Sequence, residues 1–131
     1  KFIESLGEKY NIREIAYDRW GAVQMVQNLE GMGFTVVPFG QGYKDMSPPT
    51  KELMKLAMVK KLAHGGHPVL RWMMDNIYIK TDPAGNIKAD KAKSTEKIDG
   101  AVATIMALDR AIRCGNSNSA SVYDDRGILF I

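Results

Sequence analysis

The sequence predicts an α/β domain with at least some parallel strand pairing. Segments with helical periodicity alternate with short runs rich in β-branched and aromatic residues, in the order helix, strand, helix, strand, helix, hairpin, helix. Such alternation places helices between strands that run the same way. Turn-forming clusters at Asn11, Gly31-Met32-Gly33, Gly40-Gln41-Gly42 and Gly65-Gly66 separate the segments. Composition agrees: 131 residues, 45% hydrophobic and 25% charged, suit one compact domain with one core.

Each element has its own signal. Residues 1–10 read as the last turns of a helix entered midway, with Phe2, Ile3, Leu6 and Tyr10 on one side. Residues 12–18 read as a short strand whose apolar content rises toward Tyr17-Asp18. A helix is predicted over 20–31, with Trp20, Val23, Val26 or Gln27, and Glu30 at helical spacing. Residues 34–39 form the second strand, and Pro38 places its end or an edge there. Ser47-Pro48-Pro49 predicts a helix start, a Ser cap before a first-turn proline. That helix runs through Lys60-Lys61 to Gly65-Gly66. Residues 75–89 predict a hairpin with Ile77-Tyr78-Ile79 as one arm, residues 82–86 as the turn and Ile87 as the return. The last helix carries Ile98, Val102, Ile105, Leu108 or Asp109, and Ile112, and stops near Gly115. Residues 116–131 are a tail whose apolar end, Ile128–Ile131, suits an edge strand or a partner. The methionines at 46, 54, 58, 73, 74 and 106, and Trp72, read as core filler.

Several function classes drop out. A lone cysteine, Cys114, excludes an internal disulfide and a Cys-cluster zinc site, and makes an intracellular location the default. No apolar run approaches the roughly 20 residues that cross a bilayer, so no membrane role is expected. There is no phosphate-loop motif, GxSxG elbow or Cys–His signature. Net charge is +3, which permits a nucleic-acid partner without requiring one.

Two carboxylates stand out. Asp18 closes an apolar strand, and functional groups gather beyond the carboxyl ends of strands in open α/β sheets. The alternative is a cap on the helix beginning near Trp20. Asp99 sits in the first turn of the last helix, one residue after the apolar Ile98. There the alternative is a favourable charge at a helix N-terminus. Four lysines, Lys88, Lys91, Lys93 and Lys97, cluster beside it, and basic groups at a helix N-terminus suit phosphate. The competing reading is a solvated charged loop. Asp75, expected at the mouth of the hairpin, is a third candidate oxygen ligand, with a turn residue as its alternative. Hard oxygen ligands of this kind suit Mg²⁺ or Mn²⁺. His64 and His67 flank two glycines and read as a helix end and turn rather than a zinc pair.

Five stretches taken together, IREIAYDRW, FGQG, MSPPTKEL, GGHPVLRWMMDN and KADKAKSTEKIDGAVATIMALDRAI, resemble the large terminase subunit of tailed bacteriophages and prophages. The similarity runs over roughly residues 1–113. It implies a ribonuclease H-like fold, a mixed sheet flanked by helices, and a nuclease that cuts concatemeric viral DNA with two divalent ions. Under it, Asp18 matches the second metal carboxylate and Asp99 the last, on the final helix. Lys91, Lys93 and Lys97 become contacts to the DNA backbone. The family's first catalytic aspartate would lie on a strand upstream of Lys1, so the resemblance implies a fold lacking its first strands and an incomplete metal site. A sheet missing those strands exposes an edge, which favours self-association. The resemblance further implies a separate ATPase domain, a portal protein and a small terminase subunit as partners, and action in the cytoplasm of the bacterial host, outside the mature virion. The resulting division is a partial nuclease domain, 1–115, and a tail, 116–131. A non-catalytic module that docks DNA or the portal is the alternative, and a junction-resolvase-like nuclease is a further one.

Overall fold

The computed structural model describes residues 1–115 and the two-residue strand at 129–130, the latter by its backbone alone. Its contacts gather into two compact units, Lys1–Gln41 and Gly42–Ile131.

The first unit holds α1 (Phe2–Lys9), β1 (Ile15–Asp18), α2 (Val23–Gly31) and β2 (Val36–Phe39). β1 and β2 pair in parallel, with Ile15 opposite Val36 and Asp18 opposite Phe39. The crossover between them is α2, as the alternation predicts. This helix starts three residues later than its periodicity suggests. Asp18 Oδ1 accepts the Trp20 N–H at 3.3 Å in a turn that holds Trp20 outside the helix, and the Trp20 ring is 82% exposed. The inward stripe is therefore Ala22, Val26 and Leu29, and Val23 points to solvent.

The second unit holds α3 (Tyr43–Met58), β3 (Leu62–Ala63), α4 (Pro68–Asp75), β4 (Ile79–Thr81), β5 (Ile87–Ala89), α5 (Asp99–Cys114) and β6 (Leu129–Phe130). Its core is built by α3 and α5: Met46, Leu53, Ile98, Ala101, Val102, Ile105, Met106 and Leu108 are buried. The predicted stripe of α5 is the buried one as far as Asp109, which is paired with Arg113 at 2.8 Å; Ile112 lies beyond it, exposed. Gly115, at φ +54°, ends the helix.

α3 departs from expectation at both ends. It begins at Tyr43, so Pro48 and Pro49 lie inside the helix. Ser47 is no cap: it is buried, and its Oγ accepts the Ile87 N–H at 3.0 Å, tying α3 to β5. The helix stops at Met58 because Lys60 adopts φ +56°. Lys61 N–H then reaches Leu56 O at 2.9 Å and Lys60 N–H reaches Ala57 O at 3.2 Å, a left-handed cap that satisfies the last carbonyls. The freed chain forms β3 where the helix was expected to continue, and α4 follows in a stretch for which no element was predicted. α4 crosses α5 closely: a Cβ on Gly100 would lie 2.6 Å from Met73 Sδ, so a larger residue there would require the Met73 side chain to shift.

The strands join two by two. β1–β2 and β3–β6 are parallel and β4–β5 is antiparallel, three small sheets among the described residues in place of one mixed sheet. An apolar pattern specifies which face of a strand is buried, not which strand lies beside it. The β3–β6 pair, with Leu62 opposite Leu129, gives part of the apolar end the edge-strand position anticipated for it. Ile128, Ile131 and the rest of the tail lie outside the described residues. The hairpin arm is Ile79–Thr81, two residues later than read. Its turn is held by Asp82: the carboxylate accepts the Asn86 N–H at 2.8 Å and the Asn86 side-chain amide at 2.9 Å. Gly85 supplies the positive φ of +83° that a turn of this length needs. These donors, the Asn86 side chain first, hold the Asp82 carboxyl below its ordinary pKa.

Two aromatic and sulfur expectations fail for the same reason. Met46 and Met106 are core, whereas Met54, Met58 and Trp72 are exposed, at 47%, 80% and 46%. A flexible or amphipathic side chain carries no periodic signature that separates an inward from an outward position.

An apolar cleft of about 500 Å³ opens between α3, α4, α5 and the hairpin, with Leu53, Leu70, Met74, Ile79 and Ile105 in its wall. No helix among the described residues is long and apolar enough to cross a membrane.

Candidate metal and nucleic-acid site

Asp18 is the last residue of β1, at the carboxyl end of the parallel pair, and it is exposed. Its Oδ1 accepts the Trp20 N–H. The helix-cap alternative does not describe it, because the N-cap of α2 is Ala22, four residues on. The side chain instead organises the turn directly after the strand.

Asp99 is the first residue of α5, with the buried Ile98 as N-cap. The fully buried Ile98, at 1% exposure, anchors the helix start and so the carboxylate next to it. Asp99 itself is exposed: 67% of its side chain is accessible. Lys91 Nζ stands 3.2 Å from Asp99 Oδ1. Sitting at a helix N-terminus, the carboxylate is also favoured by the helix dipole.

Asp75 is not at the mouth of the hairpin. It ends α4, exposed, where an anion meets the unfavourable end of the dipole. His64 Nδ1 accepts the Gly66 N–H at 3.1 Å and His67 caps α4, so this pair forms a turn and a helix start. Among the described residues, no three His, Cys, Asp or Glu side chains gather into a group able to hold a metal ion.

The four predicted lysines divide. Lys91 pairs with Asp99. Lys88 lies over the Tyr43 ring, 4.9 Å from its centroid, and Lys93 over Tyr78 at 5.5 Å. Lys97 is exposed and precedes the N-cap of α5, outside the helix. Sequence reading passes over Lys80, which the hairpin register sets directly opposite Lys88. The signal was present in the alternation along the arm, which puts Tyr78, Lys80 and Asp82 on one face.

Comparison with known proteins matches these observations to one family. The family model described as the terminase large subunit, endonuclease domain, matches residues 1–114. The large terminase subunit of Enterobacteria phage HK97 is 38% identical over 110 residues, which cover 82% of this chain and 22% of that protein. Protein YmfN of Escherichia coli strain K12 is 35% identical over 103 residues, 77% of this chain and 23% of its own length. The crystal structure of the HK97 large terminase superposes with a TM-score of 0.73 at 35% identity, covering 84% of this chain and 24% of that one. The chain thus spans less than a quarter of the length of these relatives. With a family model matched along 114 residues and a solved relative sharing its fold, the chain belongs to the endonuclease-domain family of terminase large subunits.

Proposed function

We propose that this chain acts as the metal-dependent endonuclease portion of a viral DNA-packaging terminase, with a ribonuclease H-like fold, cutting concatemeric double-stranded DNA. The observation that carries the reading is the position of Asp18 at the carboxyl end of a parallel strand, in a chain whose family model is an endonuclease domain. Asp18 and Asp99 are the proposed metal ligands, and Asp75 is a further candidate. Their chemistry fits: exposed carboxylates offer the hard oxygens that Mg²⁺ and Mn²⁺ take. Two such ions, when bound, generate the attacking nucleophile and stabilise the leaving oxygen of a phosphodiester. The chain's own part is to hold the carboxylates on a strand end and a helix start. Lys91, beside Asp99, puts a cation where a phosphate would approach. Lys88, Lys93 and Lys97 extend that charge toward the DNA backbone, with little base reading. In the longer protein the reading adds a portal protein and a small terminase subunit as partners, and the bacterial cytoplasm as the place of action.

The test is Mn²⁺ titration together with cleavage of linear duplex DNA, both made in the longer protein. Asp18→Asn and Asp99→Asn are each expected to weaken site-bound Mn²⁺ and to lower cleavage roughly 100-fold or more, the loss of several kcal/mol of charge stabilisation. Metal binding unchanged in both variants rejects the assignment. Preference for branched over linear DNA redirects it to a resolvase-like nuclease.

A further inference from the structure

The loop between β5 and α5 carries Lys91 on a fixed backbone. Asp90 opens it: its N–H reaches Tyr78 O at 2.8 Å, and its Oδ1 accepts the Ala92 and Lys93 N–H groups at 2.9 and 3.3 Å. Ser94 closes the turn. Its N–H and its hydroxyl both donate to Asp90 O, at 3.0 and 2.6 Å, and its Oγ accepts the Tyr78 N–H at 3.2 Å. One residue on, the Thr95 hydroxyl donates to Asn76 Oδ1 at 3.2 Å. The backbone is therefore tied to Tyr78 on both sides of Lys91.

The Lys91 side chain is held far less firmly. Its Nζ stands 3.2 Å from Asp99 Oδ1, with the two side chains 55% and 67% exposed. Water competes for both groups of such a pair, so parting them costs little. Asp99 is fixed in its turn by the buried Ile98 before it and by the first turn of α5. The contact thus joins two anchored backbones through one long, flexible chain of methylenes. An ammonium and a divalent cation at the same carboxylate repel one another. The carboxylate assigned to metal is the one that answers Lys91.

We propose that Lys91 and a divalent cation compete for Asp99, so that Lys91 is held by Asp99 in the metal-free protein and turns to a DNA phosphate once Asp99 takes the metal. The inference rests on the reading of Asp99 as a metal ligand and adds the regulation of that site. Only the side chain has to move, because the loop that carries it is clamped. Coupling of this kind is reciprocal: a phosphate that draws Lys91 away leaves Asp99 free for the metal.

The experiment uses the longer protein and the variant Lys91→Met, which keeps an unbranched side chain without the charge. Mn²⁺ binding is followed by the electron paramagnetic resonance of the free ion, without DNA. At the Mn²⁺ site that Asp99→Asn removes, Lys91→Met is expected to bind about 3- to 10-fold more tightly, having lost the competing cation, and Lys91→Arg to bind as the native protein does. Binding to a mixed-sequence duplex is then measured by fluorescence anisotropy from about 50 to 200 mM salt, with and without Ca²⁺. Lys91→Met is expected to reduce the salt slope of log K by about 0.9, one phosphate contact, with Ca²⁺ present, and to leave it unchanged without. Native Mn²⁺ affinity in Lys91→Met, with Asp99→Asn still abolishing the site, overturns the exchange alone. A slope reduced equally with and without Ca²⁺ overturns it as well, making Lys91 a permanent DNA contact. Mn²⁺ binding that is absent, or indifferent to Asp99→Asn, overturns the exchange together with the metal reading.

Discussion

The two candidate carboxylates stand on very different foundations. Asp99 begins a 16-residue helix backed by Ile98, Ala101, Val102, Ile105 and Leu108, all at 5% exposure or less. Asp18 ends a four-residue strand in a unit where Leu29 and Phe39 are the buried apolar residues among those described. The contrast separates two ways of holding a charged group. Asp99 is held by packing behind its helix, and Asp18 by a backbone ladder and one turn hydrogen bond. Packing is cooperative and costly to disturb, whereas a short ladder opens locally at low cost.

The contrast is tested most severely by cavity formation. Ile105→Ala, in the core behind Asp99, is expected to cost about 2–5 kcal/mol, measured by urea unfolding. Val36→Ala, in the half-buried strand beside β1, is expected to cost only about 1 kcal/mol. Equal losses at the two positions would erase the distinction.

Ser47→Ala sharpens it within the second unit. The Ile87 N–H loses its acceptor at 3.0 Å, and the expected cost is about 1–3 kcal/mol. Slowed amide exchange at Ile87, which should become fast in the variant, reports the same bond. A variant as stable as the native chain would show that water replaces the hydroxyl.

Asp99→Asn is expected to change stability by less than about 1 kcal/mol. Its partner Lys91 and its own side chain are both more than half exposed, and such pairs contribute little. A midpoint within that margin, set beside lost metal binding, separates a functional carboxylate from a structural one.

The smallest effect concerns acid. The folded Asp82 carboxyl has a lowered pKa, so its contribution is present above the unfolded value of about 3.9 and fades as pH falls below it. Melting temperatures taken between neutral pH and about pH 3 should fall less steeply in Asp82→Ala than in the native chain. Parallel profiles would remove the turn from the acid response.

How far the sequence reaches depends on the range of the interaction involved. The α5 stripe from Ile98 to Asp109 is written in a 3.6-residue period, and the Asp82–Asn86 turn in a five-residue segment. Both are legible because their determinants lie within a few residues. The family itself is legible for the same reason, as motifs in order along the chain. The candidate carboxylates could be named individually, as a strand end and a helix start. The division of the lysines could not, because an ion pair to Asp99 and rings at Tyr43 and Tyr78 are partners from other elements.

Tertiary structure alone decided the remainder. Ser47 followed by two prolines is a helix start by local rules. Here the helix begins at Tyr43 and the hydroxyl turns inward to a strand 40 residues away. Trp20 and Trp72 are apolar by composition and exposed by position. A side chain's period tells which way it points along its own element. Whether a neighbour waits there, and whether a glycine such as Gly100 lets that neighbour come close, is settled only when the elements pack.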